Sequence, residues 1–98
     1  MTFEVATTEV FDQWIIALKN RQAARLIRQR ITRARDGNLG DVKPVGQGVF
    51  EMRIHAGPGY RLYYIVRDGR LIILLCGGSK GSQSRDIKTA HRIARELE

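Results

Sequence analysis

Two turn signals, Pro58-Gly59 and Asp68-Gly69, divide one stretch of this chain into three apolar runs, and no other feature restricts the fold more. The runs are Phe50–Ile54, Tyr60–Val66 and Leu71–Cys76, each of strand length and rich in aliphatic and aromatic residues. Asp-Gly favours a two-residue hairpin because both central positions need positive φ, which Asp tolerates and Gly adopts freely. An antiparallel three-stranded meander is therefore expected. Period-two alternation assigns its faces: Phe50, Met52 and Ile54 point one way, Glu51, Arg53 and His55 the other. Tyr60, Leu62, Tyr64 and Val66 likewise lie opposite Arg61, Tyr63 and Ile65. Arginine is rarely buried without a partner, so a face carrying Arg53 and Arg61 is where a phosphate or a carboxylate would be gripped. Neighbouring strands can put both on one surface, although alternation alone leaves the register open. The plainest arrangement is an ion pair of Glu51 with Arg53 or Arg61.

The rest of the chain reads as helix around this sheet. Thr2–Ala6 alternates like a first strand, with Phe3 and Val5 on one side. Thr7 or Thr8 can cap a helix in which Phe11, Trp14, Ile15 and Leu18 form an apolar stripe. Asn20 can cap a second helix over about 21–35, with Ala24, Ile27, Ile31 and Ala34 inward and Arg21, Arg25 and Arg28 on another face. Asp36-Gly37-Asn38 stops it. Residues 38–48 read as a loop, and Ser82 or Ser84 can cap a final helix with Ile87, Ala90, Ala94 and Leu97 inward. The predicted order is β-α-α-β-β-β-α: one α+β domain over 1–98 with a small twisted, mainly antiparallel sheet, an N-terminal helical hairpin and a C-terminal helix.

Charge adds a second constraint. The net charge is +7, from 17 basic and 10 acidic residues. Between Lys19 and Arg35 stand Lys19, Arg21, Arg25, Arg28, Arg30, Arg33 and Arg35, with no acidic residue, so this segment carries the whole excess. Such a patch suits a polyanion or an acidic protein partner. No apolar run is long enough to span a bilayer, and no secretory signal pattern opens the chain, so a cytoplasmic protein without membrane association is expected. The single cysteine, Cys76, excludes an internal disulfide, and His55 and His91 lack partners at metal-ligand spacing. Neither metal nor cofactor is expected.

The segment Lys43-Pro44-Val45-Gly46-Gln47-Gly48-Val49-Phe50-Glu51-Met52-Arg53-Ile54 resembles the RelE/ParE toxin superfamily, as does Gly57-Pro58-Gly59-Tyr60-Arg61-Leu62-Tyr63-Tyr64. Leu74–Gln83, followed by Asp86-Ile87, is similar to the HigB-like branch of addiction-module killer proteins. The opening helix and Gly37–Asp41 fit as well, so the resemblance spans nearly the whole chain. It implies a toxin of a type II toxin–antitoxin pair, partnered by an antitoxin that can carry a helix-turn-helix domain. Members often cleave mRNA on the translating ribosome, whereas ParE-like members poison DNA gyrase. A non-enzymatic basic module that binds nucleic acid or protein is the further alternative.

For a ribonuclease of this kind the RNA's own 2′-hydroxyl attacks the adjacent phosphate, and the protein places the phosphate and moves protons. Arg61 matches the family's strand arginine and is expected on the transition-state phosphate, where the guanidinium fork donates paired hydrogen bonds. Arg53 and Lys80 are candidates for a second phosphate contact or for the leaving group. Lys43 and His55 are the candidates for proton transfer, histidine having a suitable ordinary pKa. Gln83 and Asp86 are expected to cap the last helix and fix the glycine turn. Tyr63 or Tyr64 could stack a base. Arg21, Arg25 and Arg28 could hold ribosomal RNA phosphates or an acidic antitoxin. The best-known RelE pattern has a catalytic tyrosine near its C-terminus, but no tyrosine follows Tyr64 here, so the acid–base roles do not carry over.

Overall fold

A computed structural model describes residues 2–98. The elements are β1 (Glu4–Thr7), α1 (Glu9–Ala17), α2 (Arg21–Arg35), β2 (Val42–Pro44), β3 (Phe50–Ile54), β4 (Tyr60–Arg67), β5 (Leu71–Ser79), a 3-10 turn (Lys80–Ser82) and α3 (Gln83–Glu96). They form one five-stranded sheet in the order β1-β5-β4-β3-β2. Only the β1–β5 pair is parallel; the other neighbours are antiparallel. The expected α+β order holds, with one addition. Residues 42–44, read as loop, pair with β3 as an edge strand. Three residues ending in proline give too little periodicity to signal a strand, and proline is tolerated there because the outer edge needs no ladder donor.

The local signals act as their chemistry requires. Asp68 (φ 54°) and Gly69 (φ 65°) both take the left-handed conformation of a type I′ hairpin. Thr8 caps α1 by accepting from the Phe11 amide, and Asn20 caps α2 by accepting from Ala23. The α2 terminus closes as a Schellman motif, with Gly37 N–H donating to Ala34 and Asn38 N–H to Arg33. Ser82 holds the N-cap position of α3, but its hydroxyl turns to Asp86 and makes no backbone cap.

The sheet divides the interior into two layers. On one face Met52, Leu62, Tyr64, Ile72 and Leu74 pack against Phe11 and Ile15 of α1 and Ala23, Ile27 and Ala34 of α2. On the other, Tyr63, Ile73, Leu75 and Cys76 pack against Ala90 and Ile93 of α3. Each aliphatic side chain fully buried in this way contributes about 1.5–3 kcal/mol. Both helical stripes are wider than the sequence pattern, because Ala23 and Ile93 join the buried sets.

A bulge in β5 decides what each face meets at the far end of the sheet. Register passes from Tyr64↔Leu74 to Tyr63↔Cys76, leaving Leu75 as the extra residue. Alternation shifts by one, so Gly77 falls on the α1 side and Gly78 on the α3 side. A Cβ on Gly77 would run into the Trp14 ring, and one on Gly78 into the Asp86 carboxylate and the Ser82 hydroxyl. The Gly-Gly pair thus lets a helix approach closely on each face.

Candidate functional site

On the α3 side of the sheet, polar side chains stand in two cross-strand rows. Lys43, Glu51, Tyr63 and Cys76 are successive register partners from β2 to β5. In the next row Arg53 lies opposite Arg61, and Arg61 opposite Gly78. The two arginines therefore do share one surface, in neighbouring positions. Two like charges held this close repel, and a buried carboxylate offsets that repulsion.

That carboxylate is Glu51, fully enclosed at 0% exposure. Its Oε1 accepts from Arg53 Nε at 3.1 Å and lies 3.6 Å from Arg61 Nε. Its Oε2 accepts from the Gln83 side-chain amide at 2.7 Å. An enclosed carboxylate is tolerated only when paired and hydrogen-bonded in this way. Glu51 thus pairs with both strand arginines and is tied to α3 as well. Gln83, expected to cap the last helix, instead donates to Glu51. Nothing in the sequence near Gln83 signals this, because the two residues meet only when α3 folds over the sheet. Glu51 itself was detectable as an acid on a strand flanked by apolar residues.

The two arginines are held differently. The Arg53 side chain keeps 29% of its surface exposed and donates to Glu51. Arg61 keeps only 10%, yet its Nε is buried without a hydrogen bond. Among the described residues its guanidinium donates to nothing. Arg61 Nη1 and the Lys80 Cβ lie 3.9 and 3.7 Å from the point a Cβ on Gly59 would occupy. The Lys80 amide donates to the Gly59 carbonyl at 2.9 Å. The β3–β4 turn therefore brings the exposed Lys80 beside the enclosed Arg61.

Asp86 fixes the glycine turn as expected, accepting from Ser82 above Gly78. The Tyr63 ring and hydroxyl are fully buried. Burial, with Glu51 and Asp86 nearby, holds its phenol well above the ordinary tyrosine range. Its hydroxyl has no hydrogen-bond partner among the described residues. Tyr63 therefore offers no stacking surface, contrary to the expectation that it receives a base. Its alternation puts it under α3 rather than in solvent. Tyr64 is likewise buried, stacked on Phe50 in the other layer.

The remaining predicted residues lie around or away from this cluster. Lys43 is exposed on edge strand β2, directly opposite Glu51. His55 lies past the end of β3, largely exposed, and bonds Asp41 at 2.8 Å. This contact pulls the Asp41 carboxyl below its usual range. Arg21, Arg25 and Arg28 are exposed on α2, which packs on the opposite face of the sheet from Glu51. The structure separates them from the Arg53–Arg61 cluster by the thickness of the sheet. Arg30, in the same basic run, donates to the Leu39 and Arg53 carbonyls and ties α2 to β3. Among the described residues no cluster of His, Cys, Asp or Glu suits a metal ion, and no helix is long and apolar enough to cross a membrane.

Comparison with known proteins agrees with this architecture. An uncharacterized protein of Haemophilus influenzae is 50% identical over 97 residues, covering 99% of this chain and 98% of its own length. A mutant of the Escherichia coli toxin RelE in the free state superposes with a TM-score of 0.73 over 93% of this chain and 95% of its own, at 14% identity. A chain of the Mycobacterium tuberculosis toxin–antitoxin complex RelBE2 superposes with a TM-score of 0.63 over 82% of this chain and 100% of its own, at 21% identity. At these identities the likeness concerns the fold. Residues 13–98 match the model of the family described as phage derived protein Gp49-like (DUF891). The chain therefore belongs to the Gp49-like family and carries the fold of the RelE toxins.

Proposed function

We propose that this protein is the toxin of a type II toxin–antitoxin pair, HigB-like in type, that cleaves mRNA on translating ribosomes in the cytoplasm. The observation that carries the reading is Arg61: an enclosed guanidinium whose donors are unused, beside Arg53 and Lys80. Three cations against two carboxylates, Glu51 and the nearby Asp86, leave the cluster net positive, as a phosphate site requires. In this reading Arg61 holds the non-bridging oxygens of the scissile phosphate. Glu51 fixes the orientation of Arg61 and Arg53 and does not touch the RNA. The 2′-oxygen attacks phosphorus, the bond to the 5′-oxygen breaks, and a 2′,3′-cyclic phosphate and a free 5′-hydroxyl result. Arg53 and Lys80 stabilise the leaving oxygen or a neighbouring phosphate. A base takes the 2′ proton and an acid protonates the 5′-oxygen; Lys43 and His55 are the candidates. The cation-rich outer face of α2 would meet ribosomal phosphates or the antitoxin, away from the reacting atoms.

Solved RelBE complexes contain both a toxin and an antitoxin, and we extend that pairing to this chain. Primer extension on a reporter mRNA in a translating extract tests the activity. Wild type is expected to cleave, and Arg61→Ala to lose on the order of 10²–10³ in rate, the loss seen when one well-placed transition-state donor is removed. Intact mRNA in the presence of wild-type protein that still arrests growth would overturn the reading. Loss of gyrase supercoiling under those conditions would move the target to DNA topology.

A further inference from the structure

We infer that Gln83 is a positioning residue: its side chain keeps Glu51 from closing a two-point pair on Arg61, so that the arginine's fork stays open to a phosphate. A carboxylate beside a guanidinium tends to pair through two parallel hydrogen bonds. Glu51 and Arg61 do not. Gln83 donates to Glu51 Oε2 at 2.7 Å, and the arginine contacts fall on Oε1. Both arginines approach Oε1 through Nε, Arg53 at 3.1 Å and Arg61 at 3.6 Å. The buried Nε of Arg61 makes no hydrogen bond, and its Nη groups stay free of Glu51.

The chemistry of the amide fixes its direction. An ionised carboxylate accepts and cannot donate, so the NH2 end of Gln83 must face it. Glu51 is fully buried, so bulk water does not compete for Oε2. Without the Gln83 donor, an enclosed carboxylate oxygen is left unpaired, which is costly. Arg61 is the group at hand to satisfy it. Its Nε stands just beyond hydrogen-bonding distance of Oε1, and a small rotation turns the contact into the two-point form. A phosphate would then have to break that pair before reaching the fork. The main chain adds a second link. Gln83 opens α3, and its backbone N–H donates to the Lys80 carbonyl. One residue thus holds Glu51 through its side chain and Lys80 through its backbone, joining the glycine turn to the strand arginines. A residue that only fastened α3 to the sheet would affect stability and leave Arg61 as it is. The catalytic consequence rests on the ribonuclease reading, whereas the state of Arg61 can be measured without it.

The test compares wild type with Gln83→Met, which keeps the length and removes the donor, and with Gln83→Lys, which restores a donor. Urea unfolding checks that each is folded; if Gln83→Met is not, Gln83→Asn, an amide too short to reach Oε2, takes its place. NMR of the arginine side chains, with Arg61→Lys to assign the signal, follows rotation about the Arg61 Nε–Cζ bond. Rotation is expected to slow by about tenfold or more in Gln83→Met, because a charge-assisted pair must open each time, and to recover in Gln83→Lys. Inorganic phosphate, titrated against the Arg61 signal, should bind Gln83→Met about tenfold to a hundredfold more weakly than wild type for the same reason. In a translating extract kcat for reporter mRNA should fall by a similar factor and recover in Gln83→Lys. Unchanged Arg61 rotation and phosphate affinity in Gln83→Met would overturn the inference, whatever happens to stability. So would a Gln83→Lys protein that behaves as Gln83→Met does in both measurements. If Arg61 responds as expected but wild type leaves mRNA intact, the inference stands and the ribonuclease reading fails. If wild type cleaves and Gln83→Met alters neither Arg61 nor cleavage, the reading stands and the inference fails.

Discussion

Replacing Glu51 by Gln removes one charge and almost no volume, and should reveal how the arginines are held. Glu51 is at 0% exposure, with Arg53 at 3.1 Å, Arg61 at 3.6 Å and Gln83 at 2.7 Å. Arg53, 29% exposed, can turn to water, but Arg61, 10% exposed, is left as an enclosed cation with no counter-charge. Breaking one side of a buried ion pair costs about 3–5 kcal/mol. The amide still offers one acceptor oxygen, which puts the expectation at the lower end, about 3 kcal/mol. For a domain of this size that lowers Tm by on the order of 12–24 °C. Urea unfolding followed through Trp14 fluorescence measures it. Replacing both partners, Glu51→Met with Arg61→Met, removes the stranded charge, and apolar pairs in such places are often as stable as the ion pair. The double variant should therefore recover most of the stability lost in Glu51→Gln while, under the proposed function, cleaving RNA on the order of 10²–10³ more slowly for want of Arg61. A Glu51→Gln protein within about 0.5 kcal/mol of wild type, the range of ordinary surface substitutions, would refute the view that Glu51 organises the cluster.

Gly77→Ala puts a methyl group into the Trp14 ring; overpacking of this kind should lower stability by about 1–3 kcal/mol in denaturant melts. Burial pushes the Cys76 thiol up to about 12; alkylation at pH 8 should be slow in the native protein and follow unfolding, as labelling rates against denaturant would show. The Asp41 carboxyl is held below its usual range chiefly by His55. A depressed folded pKa means the contact stabilises above the ordinary Asp value near 4 and is lost as pH falls through the lowered one. His55→Ala should accordingly raise the Asp41 titration midpoint measured by NMR, and an unmoved midpoint would show that the contact does not form in solution.

Much of the scaffold was readable because its signals are local. Asp68-Gly69 specifies a type I′ turn through its own backbone preferences, Asn20 and Thr8 cap whatever helix follows them, and alternation in β3 and β4 assigns faces without reference to the rest of the chain. Edge strand β2 was not readable, because three residues carry no period and its pairing depends on β3 being in place. The bulge at Leu75 was hidden for a similar reason: it exists only relative to β4. The stacking role expected of Tyr63 failed because alternation tells which face a side chain takes, not whether a helix covers that face.

The sequence by itself determined the order of the elements other than β2, which residues share a face within each strand, Glu51 with Arg53 among them, and the location of the basic excess on α2. These follow from interactions between residues a few positions apart. Tertiary structure alone decided that Arg53 and Arg61 are direct register partners, that Gln83 reaches across to Glu51, that Lys80 stands beside Arg61, and that the cations of α2 lie on the other face. Those outcomes depend on strand register and on helix packing, where residues far apart in the chain meet, and no local propensity encodes which of them will touch.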